Sequence, residues 1–278
     1  MAAAGFVIAP DGVRIAFEDS GTEGPLVLLL HGGMVTPTSN FRTCFQYGGD
    51  GRIGPAEGPN LESVLLGAGA RVVFIHTRGH GLSDKPHDPA RYRGDVHLHD
   101  VKAVLNVLDV ESVDVVGYSM GSCTAMRLLS REPRIRSAVL AGTGPHLVEG
   151  RTPGSGPLGQ CFVNNQWDEH PEFKPARAQA RSDPNHDFAA IGAALIGLEG
   201  APRQRLTDAS IPVLVVNGGQ DDGDKDAATL AAMIPDATGI VIGDSNHALA
   251  PSDPAIQQAI LTFLRSQWPR PQLGPGQV

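Results

Sequence analysis

Gly117-Tyr118-Ser119-Met120-Gly121, set between the run Ser112-Val113-Asp114-Val115-Val116 and a helix-forming stretch at 120–131, decides how this chain is read. In a chain with 34 glycines the bare pattern G-x-S-x-G is weak evidence, so its place between strand and helix carries the argument. A serine on a sharp strand-to-helix turn is held in strained backbone geometry with its hydroxyl above the sheet edge. The flanking glycines leave room where side chains would clash. The helix N-terminus behind the serine adds partial positive charge where an oxyanion would form. The segment therefore predicts a nucleophile at Ser119.

Outward from it, short apolar runs alternate with helical periods, the mark of stacked βαβ units and a parallel sheet. Inner strands are predicted at 25–30, 71–75, 112–116, 136–141, 211–216 and 238–242, continuous apolar runs that suit burial on both faces. Residues 6–19 read as a hairpin around Pro10-Asp11-Gly12. Helices are expected at 96–108, at 120–131 before Pro133, and at the end of the chain, opened by Ser252 as N-cap and Pro254. Residues 46–60 read as a Gly/Pro-rich loop and the tail 268–278 as frayed. Residues 145–210 separate two core strands; within them 151–160 looks flexible and 188–198 helical. An excursion that long in a compact domain is usually functional, which suggests a lid inserted into a core made of 1–144 and 211–278.

A serine hydroxyl is a poor nucleophile at neutral pH and needs a base. Of ten histidines, His247 sits in Gly243-Asp244-Ser245-Asn246-His247-Ala248, between the last strand and the last helix. His31, before Gly32-Gly33, and His80, within Arg78-Gly79-His80-Gly81, read as residues that shape turns. His76 ends a strand, and His97 and His99 read as surface residues at a helix entry. His87, His146, His170 and His186 have no supporting pattern. The base needs an orienting acid. Asp221 follows the strand at 211–216 through Asn217-Gly218-Gly219-Gln220; Asp222 competes with it, while Asp224 and Asp226 fit helix capping or a solvated loop.

His31-Gly32-Gly33, Arg78-Gly79-His80-Gly81, the Ser119 turn, the Asp221 loop and His247 together resemble the α/β-hydrolase family, over about residues 6–266. The order Ser119, Asp221, His247 is that of this fold. The resemblance implies a mostly parallel central sheet flanked by helices and an oxyanion hole built from the N–H groups of Gly33 and Met120, with Met34 as the neighbouring alternative to Gly33. Another acid position known in such folds falls here in Gly142-Thr143-Gly144, which has no carboxylate, and this strengthens Asp221. Two features depart from the family: His76 stands where an Asp is usual, two residues before Arg78, and 46–60 is longer than usual.

The function implied is hydrolysis of a carboxylic ester, lactone or related small acyl compound through an acyl-enzyme, with no cofactor and no metal. Cofactor-free C–C-bond hydrolases, perhydrolases and some cyclases or lyases resemble the sequence equally well, and a silent ligand-binding receptor is the non-enzyme alternative. Relatives that open epoxides or remove halogens carry Asp where this chain has Ser119. A net charge of −8, with no run of five like charges, speaks against a nucleic-acid or membrane partner. Three scattered cysteines and an N-terminus without a basic-then-apolar leader lead to an expected cytoplasmic location. Hydrophobic residues at 41% are enough for a sizeable core.

Overall fold

A computed structural model describes residues 3–47, 53–149, 155–181, 183–221 and 225–269. In chain order the strands are β1 (Ala3–Ile8), β2 (Arg14–Asp19), β3 (Leu26–Leu30), β4 (Cys44–Tyr47), β5 (Ile53–Ala56), β6 (Arg71–His76), β7 (Val113–Tyr118), β8 (Ile135–Ala141), β9 (Val213–Gly218) and β10 (Ala237–Ile242). The α-helices are α1 (Leu61–Gly67), α2 (Val96–Leu108), α3 (Met120–Leu128), α4 (Ser155–Asn164), α5 (Lys174–Arg181), α6 (Phe188–Gly197), α7 (Arg203–Thr207), α8 (Ala227–Ala231) and α9 (Pro254–Gln267).

Eight strands form one sheet in the order β1-β2-β6-β3-β7-β8-β9-β10; β1 and β2 enter antiparallel and the other pairs are parallel. Alternation along the strands feeds two cores. Leu28, Leu30, Val113 and Val115 face one core with Val101, Leu105, Met126 and Leu128 of α2 and α3. Val27, Leu29, Val116 and Tyr118 face the other with Leu65 of α1 and Ile256, Ile260 and Leu264 of α9. Asp114 is the polar exception in the β7 run. It is fully buried, and its oxygens accept from Arg136 Nη2 at 2.5 Å, Ser137 Oγ at 2.7 Å and Trp268 Nε1 at 2.9 Å. Trp268 is therefore anchored to the sheet, although the expected frayed tail began there; 270–278 lie outside the described residues.

The chain leaves β3 toward β6 and returns to β7 on the other side of β3. The crevice at the C-terminal ends of β3 and β7 is thus a topological switch point, where open α/β sheets bind ligands.

Several expectations need correction. Asp253, rather than Ser252, caps α9: its carboxylate accepts the Ala255 N–H at 2.8 Å, because Pro254 in the first turn fixes the cap just before it. Ser252 Oγ instead accepts the Phe45 N–H at 2.9 Å. The stretch at 46–60 is not all loop, since β4 and β5 pair antiparallel around residues 48–52, which lie outside the described residues. Residues 155–160 are helical, within α4; 151–154 lie outside the described residues. Close approach to α6 favours that helix despite its glycines, since a Cβ on Gly159 would sit 2.8 Å from Gly192 O. Regular helix in α3 ends at Leu128. His97 is buried against the Tyr92 ring, 6.3 Å between centroids, and burial followed by the nearby Arg78 charge holds it neutral with a pKa of about 3.

Candidate active site

Ser119 sits between β7 and α3 at φ 53°, ψ −115°, a left-handed conformation that a non-glycine residue adopts only when its surroundings enforce it. A Cβ on Gly117 would meet Gly121 O at 2.5 Å, and one on Gly121 would meet Leu30 O at 2.0 Å. Only glycine lets α3 start this close to the end of β3. The turn is tied down by Ser119 N–H to Ala141 O at 2.9 Å and by Ser122 Oγ, which reaches Gly117 O at 2.8 Å and Ala141 O at 2.9 Å.

The loops after β9 and β10 are joined by Gly219 N–H to Gly243 O at 3.1 Å and Gln220 N–H to Ser245 O at 3.2 Å. That pairing brings Asp221 to His247. Nδ1 of His247 lies 3.1 Å from Asp221 Oδ1 and 3.4 Å from Oδ2, and its Nε2 lies 3.0 Å from Ser119 Oγ. The Asp221 carboxylate, ionised, only accepts, so the proton sits on Nδ1 and Nε2 is free to accept from the serine. The Asp221 side chain is 2% exposed and that of His247 35%. Burial pushes the Asp221 carboxyl up; the His247 hydrogen bond and the Lys225 charge outweigh it, and the net shift is downward. Asp222, the competing acid, lies outside the described residues.

Three further residues hold the arrangement. The Tyr118 ring stacks on His247 at 5.2 Å, and its hydroxyl donates to the His247 carbonyl. Burial, with the Asp221 charge beside it, lifts the phenol well above its usual range, so it stays protonated. Asn217 is buried at the end of β9. It accepts the Thr143 N–H at 3.0 Å and donates to Thr143 O at 2.7 Å and Lys225 O at 2.5 Å, linking the loops after β8 and β9. Lys225 Nζ lies 3.0 Å from Asp221 Oδ1. None of the three was assigned a role from the sequence.

Gly33 and Met120 lie side by side: a Cβ on Gly33 would stand 4.0 Å from Met120 Cβ and 3.6 Å from Leu195 Cδ2. The turn is braced by Asn40 Oδ1, which accepts the Gly32 N–H at 2.8 Å, and by buried His31, whose Nε2 accepts the Thr77 N–H at 3.1 Å. Met34 follows at φ 63° and packs into a cluster with Cys161, Phe162, Trp167, Ile191 and Leu195, all from the 145–210 segment. His80 is also buried in its turn, and Arg78 donates two hydrogen bonds to Asp100, at 2.6 and 2.7 Å. His76 donates through Nε2 to Glu18 at 2.9 Å, and Arg42 binds the same carboxylate at 2.6 Å. The His76 and Arg42 hydrogen bonds together take Glu18 down to about 2. A groove of about 680 Å³ lined by Asp95, Arg127, Glu149 and Glu199 contains none of Ser119, Asp221 and His247. Among the described residues no cluster of three or more His, Cys, Asp or Glu is placed to hold a metal, and no helix is long and apolar enough to cross a membrane.

A family model described as alpha/beta hydrolase fold matches residues 25–178. The chain belongs to the α/β-hydrolase family. It is 31% identical over 137 residues to the AB hydrolase superfamily protein YfhM of Bacillus subtilis (strain 168), a match covering 49% of this chain and 42% of that relative. It is 28% identical over 265 residues to the 2-hydroxymuconate semialdehyde hydrolase of Pseudomonas sp. (strain CF600), covering 85% of this chain and 84% of the relative. Among solved structures, the enol-lactonase of Burkholderia xenovorans LB400 superposes with a TM-score of 0.71 at 18% identity, over 94% of this chain and 100% of that one.

Proposed function

We propose that this α/β hydrolase is a serine-dependent enzyme cleaving carboxylic esters, lactones or related small acyl compounds. The observation that carries the reading is the hydrogen-bonded chain from Ser119 Oγ through both nitrogens of His247 to Asp221 Oδ1. His247 Nε2 takes the hydroxyl proton as Ser119 Oγ attacks the carbonyl carbon. Asp221 holds the tautomer and stabilises the imidazolium. The N–H groups of Gly33 and Met120 receive the oxyanion, and the imidazolium returns its proton to the leaving oxygen. A water activated by the same imidazole then attacks the acyl-enzyme, releasing the acid and restoring Ser119. No metal or organic cofactor takes part in this scheme.

The substrate lies under the 145–210 segment, which acts as a lid. Leu195 and the Met34 cluster support this, because they set an apolar wall beside the Gly33 peptide. Such a wall suits a small or medium acyl group of modest polarity. The reading is tested by assaying the purified protein and Ser119→Ala against aryl esters of graded acyl length and against five- and six-membered lactones. Ester or lactone turnover that disappears in the variant supports it, and turnover surviving in the variant refutes it.

A second reading, C–C-bond cleavage by the same three residues, is favoured by the likeness to the 2-hydroxymuconate semialdehyde hydrolase over 85% of this chain. Adding 2-hydroxymuconate semialdehyde to the panel tests it: preference for that compound over every ester and lactone would select this reading.

A further inference from the structure

Asp221 Oδ1 is shared. His247 Nδ1 reaches it at 3.1 Å and Lys225 Nζ at 3.0 Å, so the two nitrogens are no more than about 6 Å apart. The Lys225 side chain is 9% exposed and that of Asp221 2%. Buried charges of this kind persist only when paired. The Lys225 carbonyl is in turn fixed by Asn217 Nδ2 at 2.5 Å, so the lysine enters the site from an anchored backbone.

We propose that Lys225 is a positioning residue that holds the Asp221 carboxylate and sets the protonation of His247. The assignment rests on the proposed role of His247 as base. With neutral imidazole, Lys225 and Asp221 form a neutral pair. Protonating His247 gives that trio a net positive charge, whereas without Lys225 it would complete a neutral Asp221–His247 pair. Lys225 thus opposes protonation of His247 and keeps the base available at lower pH. Among the described side chains that touch the imidazole, Tyr118 stays protonated and Ser119 is neutral, so neither supplies this effect.

Removing a positive charge about 6 Å from the imidazole raises its pKa by about 0.5 unit if the site is screened as in water. At the effective dielectric constant of partly buried pairs the rise is about 2 units.

The test is NMR titration of His247 in ¹⁵N-histidine-labelled protein, with the resonance assigned through His247→Gln, in wild type, Lys225→Gln and Lys225→Arg. Lys225→Gln is expected to raise the His247 midpoint by about 0.5–2 units, and Lys225→Arg, which keeps the charge, to leave it near the wild-type value. Where turnover is measurable, the acid limb of kcat/KM moves up by the same amount in Lys225→Gln and not in Lys225→Arg. A midpoint that stays put or falls in folded Lys225→Gln overturns the proposal. If Lys225→Gln does not fold, the shift is read by titrating His247 in Lys225→Met. Should neither fold, Lys225→Arg decides: a His247 midpoint displaced by more than about 0.5 unit despite the retained charge overturns the proposal, and one at the wild-type value supports it. The titration needs no substrate. A shifted midpoint in a protein without hydrolytic activity keeps the Lys225 assignment and removes the enzyme reading; an unshifted midpoint in an active enzyme does the reverse.

Discussion

Gly121→Ala tests whether the Ser119 turn depends on contact between α3 and β3. The added Cβ would lie 2.0 Å from Leu30 O, 2.5 Å from Leu30 C and 2.9 Å from His31 O, all of them backbone. A carbon–oxygen contact settles near about 3.3 Å, so the start of α3 must back away by about 1.3 Å. Overpacking of this kind costs about 1–3 kcal/mol, and a domain of this size loses about 2–4 °C of Tm for each. The larger effect falls on chemistry. The displacement separates Met120 from Gly33 and draws Ser119 from His247 Nε2, and a shift of about 1 Å typically costs about 100-fold in rate. The assay pairs thermal unfolding with kcat on an aryl ester. Gly67→Ala is the control: it ends α1, nothing beyond its own helix and chain neighbours stands within 4 Å of its Cβ, and it is expected to keep wild-type rate and stability. A Gly121→Ala protein with wild-type kcat would refute the claim that this contact sets the turn.

Ser119→Ala should fold normally and lose far more than about 90% of kcat, since removing a triad nucleophile typically costs several orders of magnitude. Asp221→Asn should lower kcat by roughly 10⁴-fold through the wrong imidazole tautomer. It should also lower stability, measured by urea unfolding, because the Lys225–Asp221 ion pair at 3.0 Å is lost. Acid should destabilise the fold before its carboxylates titrate. His80 is buried and held neutral, with its pKa down at about 4, by desolvation first. The unfolded chain takes up that proton below about pH 6.5. Stability therefore falls as pH drops from about 6.5 toward 4, by up to about 3 kcal/mol for this residue. Urea midpoints measured across that range should fall less steeply in His80→Gln, with buried His97 keeping part of the slope.

The sheet was legible because its strands are short, mostly apolar runs, and each appeared within a few residues of its predicted place; the run at 238–242, read as an inner strand, is instead the edge strand β10, with Val241 exposed. Ser119, Asp221 and His247 could be picked out as candidates, which the fold brings within hydrogen-bond reach, because each closes or follows a strand at one end of the sheet. What escaped the sequence depends on contacts between distant segments. The β4–β5 pairing and helix α4 form in Gly/Pro-rich stretches whose local propensity opposes them. His97 is hydrophilic at a helix entry, yet the 89–92 turn covers it. Tyr118 was hidden as a variable position of G-x-S-x-G, although it carries the stacking surface for His247. Lys225 drew no reading, because only the fold shows that it shares the Asp221 oxygen with His247.

The most direct test of the central claim is covalent capture. The protein is treated with a fluorophosphonate probe, digested, and the modified residue mapped by mass spectrometry. A single adduct on Ser119, abolished in Ser119→Ala and slowed in His247→Gln, is the predicted result. A folded wild-type protein that leaves Ser119 unmodified, or one labelled equally well without His247, would contradict it.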